Sequence, residues 1–541
     1  MRFFSLPALT APGLLAALAL LSSCTLMPPQ LPAFDQRAIP VDDPGSALPE
    51  GWQHGPFMEI HVRAWRDSNG DGIGDLRGLI ASLDYLKALG IKGLWLMPIT
   101  RSADHDHGYA VTDLRNIEPA YGTLADFDEL LDQAHQRGIG VIMDYVMNHS
   151  AATHPAFLQS QALRGQPMRD WFIWRDTAPT GWSIWNQNPW YPAGGSHFFA
   201  TFGPHMPDFD LRQPAVLAYH RDSLRFWLNR GLDGFRFDAV THLIENDAQH
   251  WDDQPESYAV MRDVQQVMAA YKQRYLVCEA THSPQVWASA QGCGSAFAFD
   301  LSALLIDAAR GKAEAITRLS AYFKTAPPTM ATMLSNHDVF AGRRPWDQLQ
   351  GDMAAYRLAA ASYLLLPGIP FIYYGEEIGM AGVARLPGDA QLRVPMSWTA
   401  DGRGFSSGTP FRPLADNAAT HNVAAAQQDP ASILAFYKTL LALRNSLPPL
   451  ARGSYAAPQV DGQVMAFRRQ LGEEQVLVLI NYGREAATLP VSGLPANALL
   501  SNEFPAGGAV SRVDGSGALR FALAGQSLRV LRLLPARPAG E

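Results

Sequence analysis

In the stretch Gly140-Val-Ile-Met-Asp144-Tyr-Val-Met-Asn148-His149, a short apolar run ends in polar side chains. The same pattern recurs in Gly234-Phe-Arg236-Phe-Asp238-Ala239, in Leu276-Val-Cys-Glu279 and in Leu334-Ser-Asn336-His337-Asp338. Near-continuous apolar runs are typical of strands buried on both faces of a parallel sheet. The pattern therefore predicts parallel strands that deliver acids, imidazoles and amides to one edge of the sheet.

Eight such runs lie between Phe57 and Tyr374, and amphipathic stretches such as Leu124–Gln136 separate most of them. The runs are Met58–Val62, Gly93–Met97, Gly140–Asp144, Gly234–Ala239, Tyr275–Glu279, Ala296–Asp300, Thr332–Asn336 and Pro370–Tyr374. Strands that alternate with helices indicate an α/β fold with a parallel sheet. Eight of them fit a (β/α)8 TIM barrel better than an open sheet.

Two regions depart from this alternation. Residues 149–208, after the third strand, are rich in Trp, Pro, Gly and Asn, and long inserts of this kind are usually functional. After residue 450, short apolar runs separated by Gly and Pro predict a C-terminal antiparallel β-sandwich at 451–541. The barrel is therefore predicted to occupy residues 51–148 and 209–450, with an inserted domain at 149–208.

The N-terminus has the composition of a secretion signal. Leu14–Leu21 is apolar but too short to span a bilayer of about 30 Å. Leu21-Ser22-Ser23-Cys24 resembles the bacterial lipobox, whose cysteine is lipidated; the alternative is an ordinary signal peptide with a chance cysteine. We predict a lipoprotein signal peptide at 1–23, a proline-rich tether at 24–50 and a membrane anchor on Cys24. Because Thr25 rather than Asp follows the cysteine, we expect the outer membrane, cell surface or periplasm of a Gram-negative bacterium.

Charge and cysteine content argue against several classes of site. The formal net charge of −8 argues against nucleic acid as a partner. An oxidising compartment would allow a disulfide between Cys278 and Cys293, but Cys278 lies inside an apolar run, and we expect a buried free thiol. No Cys or His cluster in the sequence has the spacing of a zinc site. We expect a monomer.

Three carboxylates stand at the ends of predicted strands, namely Asp238, Glu279 and Asp338. Taken singly, an Asp after an apolar run is more often part of a turn or a helix cap. Active sites of (β/α)8 barrels, however, gather at the carboxyl ends of the strands. Acids on the fourth, fifth and seventh strands must therefore converge, and together they predict a catalytic site.

These four strand ends resemble the signature segments of the α-amylase family, glycoside hydrolase family 13. The resemblance also includes His107-Gly108-Tyr109, Met206-Pro207-Asp208-Phe-Asp210 and Tyr374-Gly375-Glu376-Glu377, and it extends over roughly Gly55 to Leu450. It implies an enzyme built from a barrel, an inserted domain B after the third strand and a C-terminal β-domain. The pattern of runs and inserts predicts the same three parts.

The residues suit cleavage of a glycosidic bond with retention, which needs a carboxylate nucleophile and a carboxylic acid about 5–5.5 Å apart. Asp238 is the predicted nucleophile, and Arg236 on the same face of the strand would favour its ionised form. Glu279 ends an apolar run, so desolvation would keep it protonated as the general acid. The resemblance implies that Asp338 stabilises the transition state.

The resemblance also implies a set of side chains that bind the sugar. They are Tyr109, His149, Arg236, His337, Asp106, His107 and Arg393. For His149 and His337 the alternative is a structural role as hydrogen-bonded core histidines.

Two Ca²⁺ sites are predicted. The loop from Asp67 to Asp75 places oxygen ligands at alternate positions, as loops that bind hard cations do, and it is not an EF-hand because Gly78 occupies the twelfth position. It resembles the calcium loop after the first strand in many family members, which implies as ligands Asp67, Asn69, Asp71, the carbonyl of Ile73, and Asp75. Asn148, Asp208 and the carbonyl of His242 match a second site between the barrel and domain B. The alternative for the loop is a polar, glycine-rich turn without metal.

Residues next to the predicted nucleophile bear on bond specificity. Oligo-1,6-glucosidases share the long Asp67–Asp75 loop but commonly have valine after the nucleophile, where this chain has Ala239. The insert ends in Met206–Asp210, as in amylases that act on α-1,4 bonds. Amylases usually carry Lys-His where this chain has Thr241-His242, so the contact with the acceptor sugar and the preferred chain length stay open.

Three functions follow from these observations. We predict a retaining α-amylase that hydrolyses α-1,4-glucosidic bonds in starch, maltodextrins or maltooligosaccharides. The first alternative is an α-glucosidase, oligo-1,6-glucosidase or glucosyl transferase on the same barrel. The second is a non-catalytic glycan-binding lipoprotein, against which the intact set of three carboxylates argues.

Overall fold

The computed structural model of the protein describes residues 32–162, 165, 167–507 and 509–534. The predicted signal peptide, Cys24 and the first part of the predicted tether lie outside these residues. The rest of the proline-rich segment packs on the insert and on the barrel. Gln159 donates a hydrogen bond to the carbonyl of Pro32 at 2.7 Å, and the backbone N–H of Ile39 donates to Asp222 at 3.1 Å.

Seven parallel strands form one sheet, and their order around it is fifth, fourth, third, second, first, eighth, seventh. These strands are Phe57–Ile60, Gly93–Leu96, Gly140–Tyr145, Gly234–Phe237, Tyr275–Cys278, Ala331–Thr332 and Ile369–Tyr373. Ala296 pairs with Cys278, and Phe297 pairs with Ala331, both in parallel. This short sixth strand joins the two outer strands, so the sheet closes into the predicted (β/α)8 barrel.

Aromatic side chains fill the inside of the barrel. Alternate residues of each strand point inward, and Phe57 stacks on Phe371 with ring centroids 4.6 Å apart. Trp95 packs on Phe297 at 5.0 Å. Because this interior is packed with side chains, the ends of the strands are the place for a binding site.

Helices surround the barrel, and local signals in the sequence start them. Thr123 and Asp126 form a capping box at the start of Leu124–Gln136, and proline begins Pro214–Leu228 and Pro255–Ala269. The other α-helices are Val62–Trp65, Leu76–Ile80, Leu83–Leu89, Pro155–Ala162, Pro284–Trp287, Phe299–Ala309, Ala313–Tyr322, Pro345–Gln348, Met353–Leu365, Val423–Gln428, Ile433–Ser446 and Pro448–Arg452. The 3₁₀ helices are Trp52–His54, Pro167–Trp171, Val240–His242, Val339–Ala341, Glu376–Ile378 and Gly388–Gln391.

Two excursions from the barrel rise above the ends of its strands. After the second strand, Thr100–Ser102 pairs with Val111–Ile117, and the loop between them carries His107 and Tyr109. After the third strand, the inserted domain B contains a small antiparallel sheet formed by Trp174–Arg175, Trp190–Ala193 and Ser196–Phe199.

The C-terminal part consists of two antiparallel sheets that enclose an apolar core of their own. The six-stranded sheet contains Ser454–Asp461, Val464–Leu471, Glu474–Asn481, Ser527–Leu534, Leu499–Phe504 and Ser511–Arg512, in that spatial order. The two-stranded sheet pairs Ala487–Val491 with Leu519–Leu523. Among the described residues, no helix is long and apolar enough to cross a membrane.

The expectation of a buried free thiol at Cys278 is wrong, because Cys278 forms a disulfide with Cys293. Both cysteines are buried. After the helix Pro284–Trp287, the chain turns back so that the backbone N–H of Cys278 donates to the carbonyl of Ser295 at 3.0 Å. This return brings the two Cα atoms to 6.1 Å, which is within the usual span of a disulfide.

Candidate active site

A cavity of about 250 Å³ opens where the barrel strands end. The loops after the second, third, fourth, fifth, seventh and eighth strands all contribute to its wall. The lining residues are His107, Tyr109, His149, Phe202, Met206, Asp238, Ala239, Glu279, Asp338, Phe340, Asp389 and Arg393. The three acids singled out in the sequence therefore face one cavity.

The guanidinium of Arg236 holds the carboxyl groups of Asp238 and Glu279 side by side. Its Nη1 donates to Asp238 Oδ1 at 2.7 Å, and its Nη2 lies 2.9 Å from Glu279 Oε2. Nη1 also donates to Asp144 at 2.7 Å, so three acids surround one buried cation. The backbone N–H of Ala239 donates to the same oxygen of Glu279 at 3.0 Å and fixes its orientation.

Burial raises the pKa of both carboxyl groups at the cavity. Desolvation raises the pKa of Asp238 to about 6, while the charge of Arg236 opposes the shift. Desolvation raises the pKa of Glu279 to about 7, and the nearby Asp238 adds to the rise. Arg236 thus favours the ionised form of Asp238, as expected, but burial outweighs it. Glu279 keeps its proton to a higher pH than Asp238, which is the order that an acid and a nucleophile require.

Asp338 lies in a charged cluster with His337 and Arg393. His337 Nε2 lies 3.0 Å from Asp338 Oδ2, and Arg393 Nη2 lies 2.5 Å from Asp338 Oδ1. On its other side, His337 Nδ1 lies 2.5 Å from Glu59. Burial disfavours the charged imidazole, but the two carboxyl groups raise the pKa of His337 to about 10. Burial also opposes ionisation of Asp338, yet His337 and Arg393 hold its pKa well below the usual range, so it carries a negative charge.

Tyr109 forms part of the cavity floor and is tied to the charged groups below it. Its hydroxyl donates to Asp144 at 2.9 Å and lies 2.7 Å from His337 Nε2, and its ring stacks on His337. His149 also lines the cavity, and burial lowers the pKa of its imidazole to about 3, so the ring is neutral. Its buried Nε2 has no hydrogen-bond partner among the described residues.

Asp106 and His337 occupy different positions from the other predicted sugar-binding residues. The Asp106 carboxylate pairs with Arg412 at 2.6 Å and is absent from the cavity lining. His337 is fully buried behind Tyr109 and Asp338 and does not line the cavity either. The contacts of His337 with Tyr109 and Asp338 indicate that its charged imidazole holds these two side chains in place.

Sequence reasoning did not single out six residues of the site. One of them, Asp389, lines the cavity, and its carboxylate lies 3.3 Å from Arg393. Glu59 and Asp144 are buried acids that bind His337 and Arg236, respectively. Glu59 interrupts the apolar first strand, and a lone acid inside such a run is a signal for a buried ionic contact. Phe202, Met206 and Phe340 line the cavity wall, and no periodic pattern in the sequence marks them.

The predicted calcium loop from Asp67 to Asp75 is folded around its own carboxylates. Asp67 accepts hydrogen bonds from the backbone N–H groups of Asn69, Gly70 and Gly72, and from the hydroxyl of Ser406. The oxygens of Asn69 and Asp71 accept further backbone N–H groups, and those of Asp75 accept from Ser68 and Gly78. Carboxylate and amide oxygens suit Ca²⁺. Across the described ranges, however, no group of three or more His, Cys, Asp or Glu side chains is arranged to hold a metal ion.

The residues of the predicted second site lie at the junction of domain B and the barrel. Asp208 accepts a hydrogen bond from Thr201 at 2.7 Å, and Asn148 is a further hydrogen-bond partner. Burial raises the pKa of Asp208 to about 7. A buried neighbour that the sequence did not suggest, Glu245, has its pKa raised by burial and by Asp208. The imidazole of His242 stacks on Trp251.

Comparisons with known proteins agree with this architecture. The family model for the catalytic domain of alpha amylase matches residues 59–453. Alpha-amylase 3 of Dictyoglomus thermophilum is 34% identical over 443 residues, which cover 79% of this chain and 84% of that protein. The trehalose synthase/amylase TreS of Mycobacterium tuberculosis is 34% identical over 514 residues, which cover 83% of each chain.

A solved structure shows the same likeness in three dimensions. The crystal structure of alpha-amylase from H. orenii superposes with a TM-score of 0.77 at 31% sequence identity, and it covers 89% of this chain and 100% of that one. The family model spans nearly the whole barrel, and the relatives match along most of their own length. The chain therefore belongs to the α-amylase family, glycoside hydrolase family 13.

Proposed function

We propose that the protein is a retaining glycoside hydrolase that cleaves α-1,4-glucosidic bonds, with maltooligosaccharides as its preferred substrates. The observation that carries this proposal is the pair Asp238 and Glu279, held side by side on the guanidinium of Arg236. Their pKa values of about 6 and about 7 place the nucleophile below the acid. This arrangement matches the two-carboxylate requirement of retaining glycosidases.

The reaction proceeds in two displacements at C1 of the bound glucose. In the first, the carboxylate of Asp238 attacks C1, and Glu279 gives its proton to the departing glycosidic oxygen. This step leaves a glucosyl ester on Asp238 and releases the shorter chain. In the second, ionised Glu279 takes a proton from water while the water oxygen attacks C1 and frees Asp238. Two inversions return the α configuration.

Asp338 and the cavity floor hold the sugar during both steps. Asp338 is kept ionised by His337 and Arg393, so it can accept hydrogen bonds from sugar hydroxyls and offset the positive charge that develops at C1. The neutral His149 also lines the cavity, and its buried Nε2 has no hydrogen-bond partner among the described residues. The volume of 250 Å³ lies below the range of about 300–1,000 Å³ usual for pockets that hold drug-sized ligands, which suits one glucose ring.

A glucosyl transferase or glucosidase on the same site is the second candidate. The same glucosyl ester reacts with water in hydrolysis and with a sugar hydroxyl in transfer. The name of the M. tuberculosis relative, trehalose synthase/amylase, includes both a synthase and a hydrolase. Analysis of the products therefore distinguishes hydrolysis from transfer.

The experiment is a product analysis with starch, maltotriose, isomaltose and sucrose as separate substrates. We expect maltose and glucose from maltotriose, slower action on starch and little from isomaltose or sucrose. A dominant product with a new linkage, such as a non-reducing disaccharide, would replace hydrolysis with transfer. Cleavage of isomaltose in preference to maltotriose would overturn the α-1,4 assignment.

We also propose that the loop from Asp67 to Asp75 binds Ca²⁺, on the basis of its oxygen donors and its resemblance to a family loop. Calorimetric titration of chelator-treated protein with Ca²⁺ should show binding, and Ca²⁺ should raise the thermal midpoint. Asp71→Ala, which removes an exposed carboxylate of the loop, should weaken both effects. No heat and no change of midpoint in the wild type would refute this site. We leave the second site as a prediction.

We further propose that the protein is a lipoprotein anchored through Cys24. The support is the sequence Leu21-Ser22-Ser23-Cys24 after an apolar run. Cys24→Ser should abolish labelling with palmitate and release the protein from the membrane fraction. Unlabelled, freely diffusing wild-type protein would contradict the anchor. The monomeric state and the lack of a nucleic-acid partner stay predictions.

A further inference from the structure

The described part of the proline-rich segment, residues 32–50, lies along the outside of the molecule, and we call it the strap. Its first part is fixed to the insert by Phe34, which packs edge-on against three aromatic rings at centroid distances between 5.3 and 5.7 Å. These rings belong to His154, Trp171 and Tyr219. The hydrogen bond from Gln159 to the carbonyl of Pro32 adds a polar contact with the insert. The strap therefore begins on the insert.

From the insert, the strap runs to the base of the barrel, where the strands begin. It follows the helix Pro214–Leu228, which starts after the insert and ends just before the fourth strand. The backbone N–H of Ile39 donates to Asp222 on this helix at 3.1 Å. Farther along, Arg274, just before the fifth strand, donates to the carbonyl of Gly45 at 2.7 Å. The strap is thus tied to the molecule along its length, and only its first end lies at the insert.

The predicted anchor is separated from the strap by a short piece of chain. Cys24 and the residues up to 31 lie outside the described residues, but their number limits how far the anchor can reach. Cys24 and Pro32 are eight residues apart, and a fully extended chain of that length spans at most about 29 Å. The helix Pro214–Leu228 alone is roughly 22 Å long. To reach the base, the anchor would have to pass the insert and then the length of this helix, so the insert is the surface nearest to it.

The charge of the insert favours the same surface. Residues 149–208 contain three arginines and three aspartates and no lysine or glutamate, so their formal charge is zero, against −8 for the whole chain. The excess negative charge therefore lies outside the insert. A bilayer with anionic lipids attracts cationic and repels anionic surfaces. Such a bilayer repels the insert less than it repels the rest of the molecule.

We propose that the insert is the membrane-facing surface of the protein, held at the bilayer by the short link between Cys24 and the strap. This inference rests on the proposed lipid anchor and adds to it the surface through which the protein meets the lipid. The link keeps the insert at a high effective concentration next to the bilayer, so the contact needs no specific lipid headgroup. The cavity wall that the insert forms with Phe202 and Met206 then lies on the bilayer side of the active site.

The test measures energy transfer from a fluorescent label on the protein to rhodamine-labelled lipid. The lipidated full-length protein is added to preformed vesicles of phosphatidylethanolamine and phosphatidylglycerol. One introduced, exposed cysteine carries the label in each of three variants, namely Ala162→Cys in the insert, Lys272→Cys at the base and Ser516→Cys in the C-terminal domain. The two native cysteines beyond the anchor form a buried disulfide, so only the introduced cysteine is labelled.

We expect the largest loss of donor fluorescence from Ala162→Cys and smaller losses from the other two labels. Phe34→Ala, made in each labelled protein, removes the ring that fixes the strap to the insert. It should reduce the difference among the labels, because more chain then separates the anchor from the first fixed residue. Val41→Ala, at an exposed position of the same strap, is the matched control and should leave the difference unchanged. Thermal midpoints and activity on maltotriose show that both variants are folded.

Three results would overturn the inference. Equal losses at the three labels of vesicle-bound protein, or the largest loss from Lys272→Cys, would refute the membrane-facing insert and leave the anchor intact. An unchanged difference in folded Phe34→Ala would show that the strap does not set the orientation. Wild-type protein that carries no lipid and does not bind the vesicles would refute the anchor and this inference with it, whereas hydrolysis of maltotriose by that protein would still support the proposed activity.

Discussion

At the level of single residues, the proposed mechanism depends on the proton affinities of two carboxyl groups bound to one guanidinium. Asp238 must be ionised and Glu279 protonated at the start of the reaction. With pKa values of about 6 and about 7, kcat/KM should fall on the acid side as Asp238 gains a proton and on the alkaline side as Glu279 loses its own. Because the two groups interact, the limbs report the pair.

We therefore predict a bell-shaped dependence of kcat/KM on pH, with its maximum between these two values. Activity should rise as Asp238 ionises and fall as Glu279 loses its proton, while Asp338 stays ionised throughout. The profile is measured with maltotriose in wild type and with an activated aryl glucoside in Glu279→Gln. That variant should lose the alkaline limb. An alkaline limb that persists in it would assign the limb to another group.

Ala239 carries the prediction about bond specificity. It lines the cavity beside Glu279 with φ of 49°, a left-handed conformation that a β-branched residue adopts with strain. Ala239→Val should cost about 1–3 kcal/mol from overpacking in the site, or roughly tenfold or more in rate. We expect the wild type to cleave maltotriose far faster than isomaltose or panose. In the variant, the ratio of kcat/KM for the α-1,4 bond to kcat/KM for the α-1,6 bond should fall, because α-1,4 cleavage is slowed.

The control is Ala239→Gly, which relaxes the left-handed backbone and leaves the space open. It should keep the wild-type ratio of kcat/KM for the two linkages. If valine slows both linkages equally and lowers the thermal midpoint, Ala239 has only a packing role. A wild type that prefers isomaltose refutes the α-1,4 assignment itself.

At the scale of elements, a buried acid joins the eighth strand to two helices. Glu376 Oε1 accepts hydrogen bonds of 2.6 Å from Tyr363 on the helix Met353–Leu365 and from Tyr437 on the helix Ile433–Ser446. Burial raises its pKa to about 7 from 4.5, and the hydroxyls of the two tyrosines oppose the shift. The folded protein therefore favours the protonated form of Glu376.

This pKa predicts a loss of stability on the alkaline side. Because the pKa of Glu376 is raised in the folded protein, its contribution to the free energy of unfolding is complete below about pH 4.5. This contribution, roughly 3 kcal/mol in total, is lost as the pH rises through about 7. Glu376→Gln keeps the shape and removes the charge. Its thermal midpoint should match wild type near pH 5 and exceed it near pH 8. An equal fall of the midpoint in both proteins would show that Glu376 does not ionise in this range.

The sequence predicted a barrel strand correctly where the apolar run and the residues paired in the sheet are the same, as in Gly93–Leu96 and Gly140–Tyr145. The sixth and seventh strands are shorter than the runs suggest. Helix Phe299–Ala309 begins inside the predicted sixth strand Ala296–Asp300. In the seventh, only Ala331–Thr332 pairs. The chain then leaves the ladder and brings Asp338 to the cavity and His337 to a buried position beside it. Apolar character alone cannot distinguish a paired residue from one that leads out of the sheet.

At the scale of the whole molecule, the barrel, the insert and the C-terminal β-domain followed from the order of strand and helix patterns. The convergence of Asp238, Glu279 and Asp338 followed from the geometry of parallel strands, which end at one rim. The disulfide between Cys278 and Cys293 could not be predicted in this way, because it depends on a turn after Trp287 that no periodic pattern in the sequence indicates. The aromatic cavity wall was equally hidden, because the insert that carries Phe202 has no regular pattern.

In the proposed mechanism, the carboxylate of Asp238 attacks the sugar and carries it as an ester. The most direct measurement is mass spectrometry of Glu279→Gln after reaction with α-glucosyl fluoride. Fluoride leaves without a proton, whereas the second step lacks its base, so the ester should accumulate. We predict one glucosyl group, located by peptide mapping on Asp238 and absent from Asp238→Asn. A glucosyl group on another residue, or continued turnover by Asp238→Asn, would contradict the account.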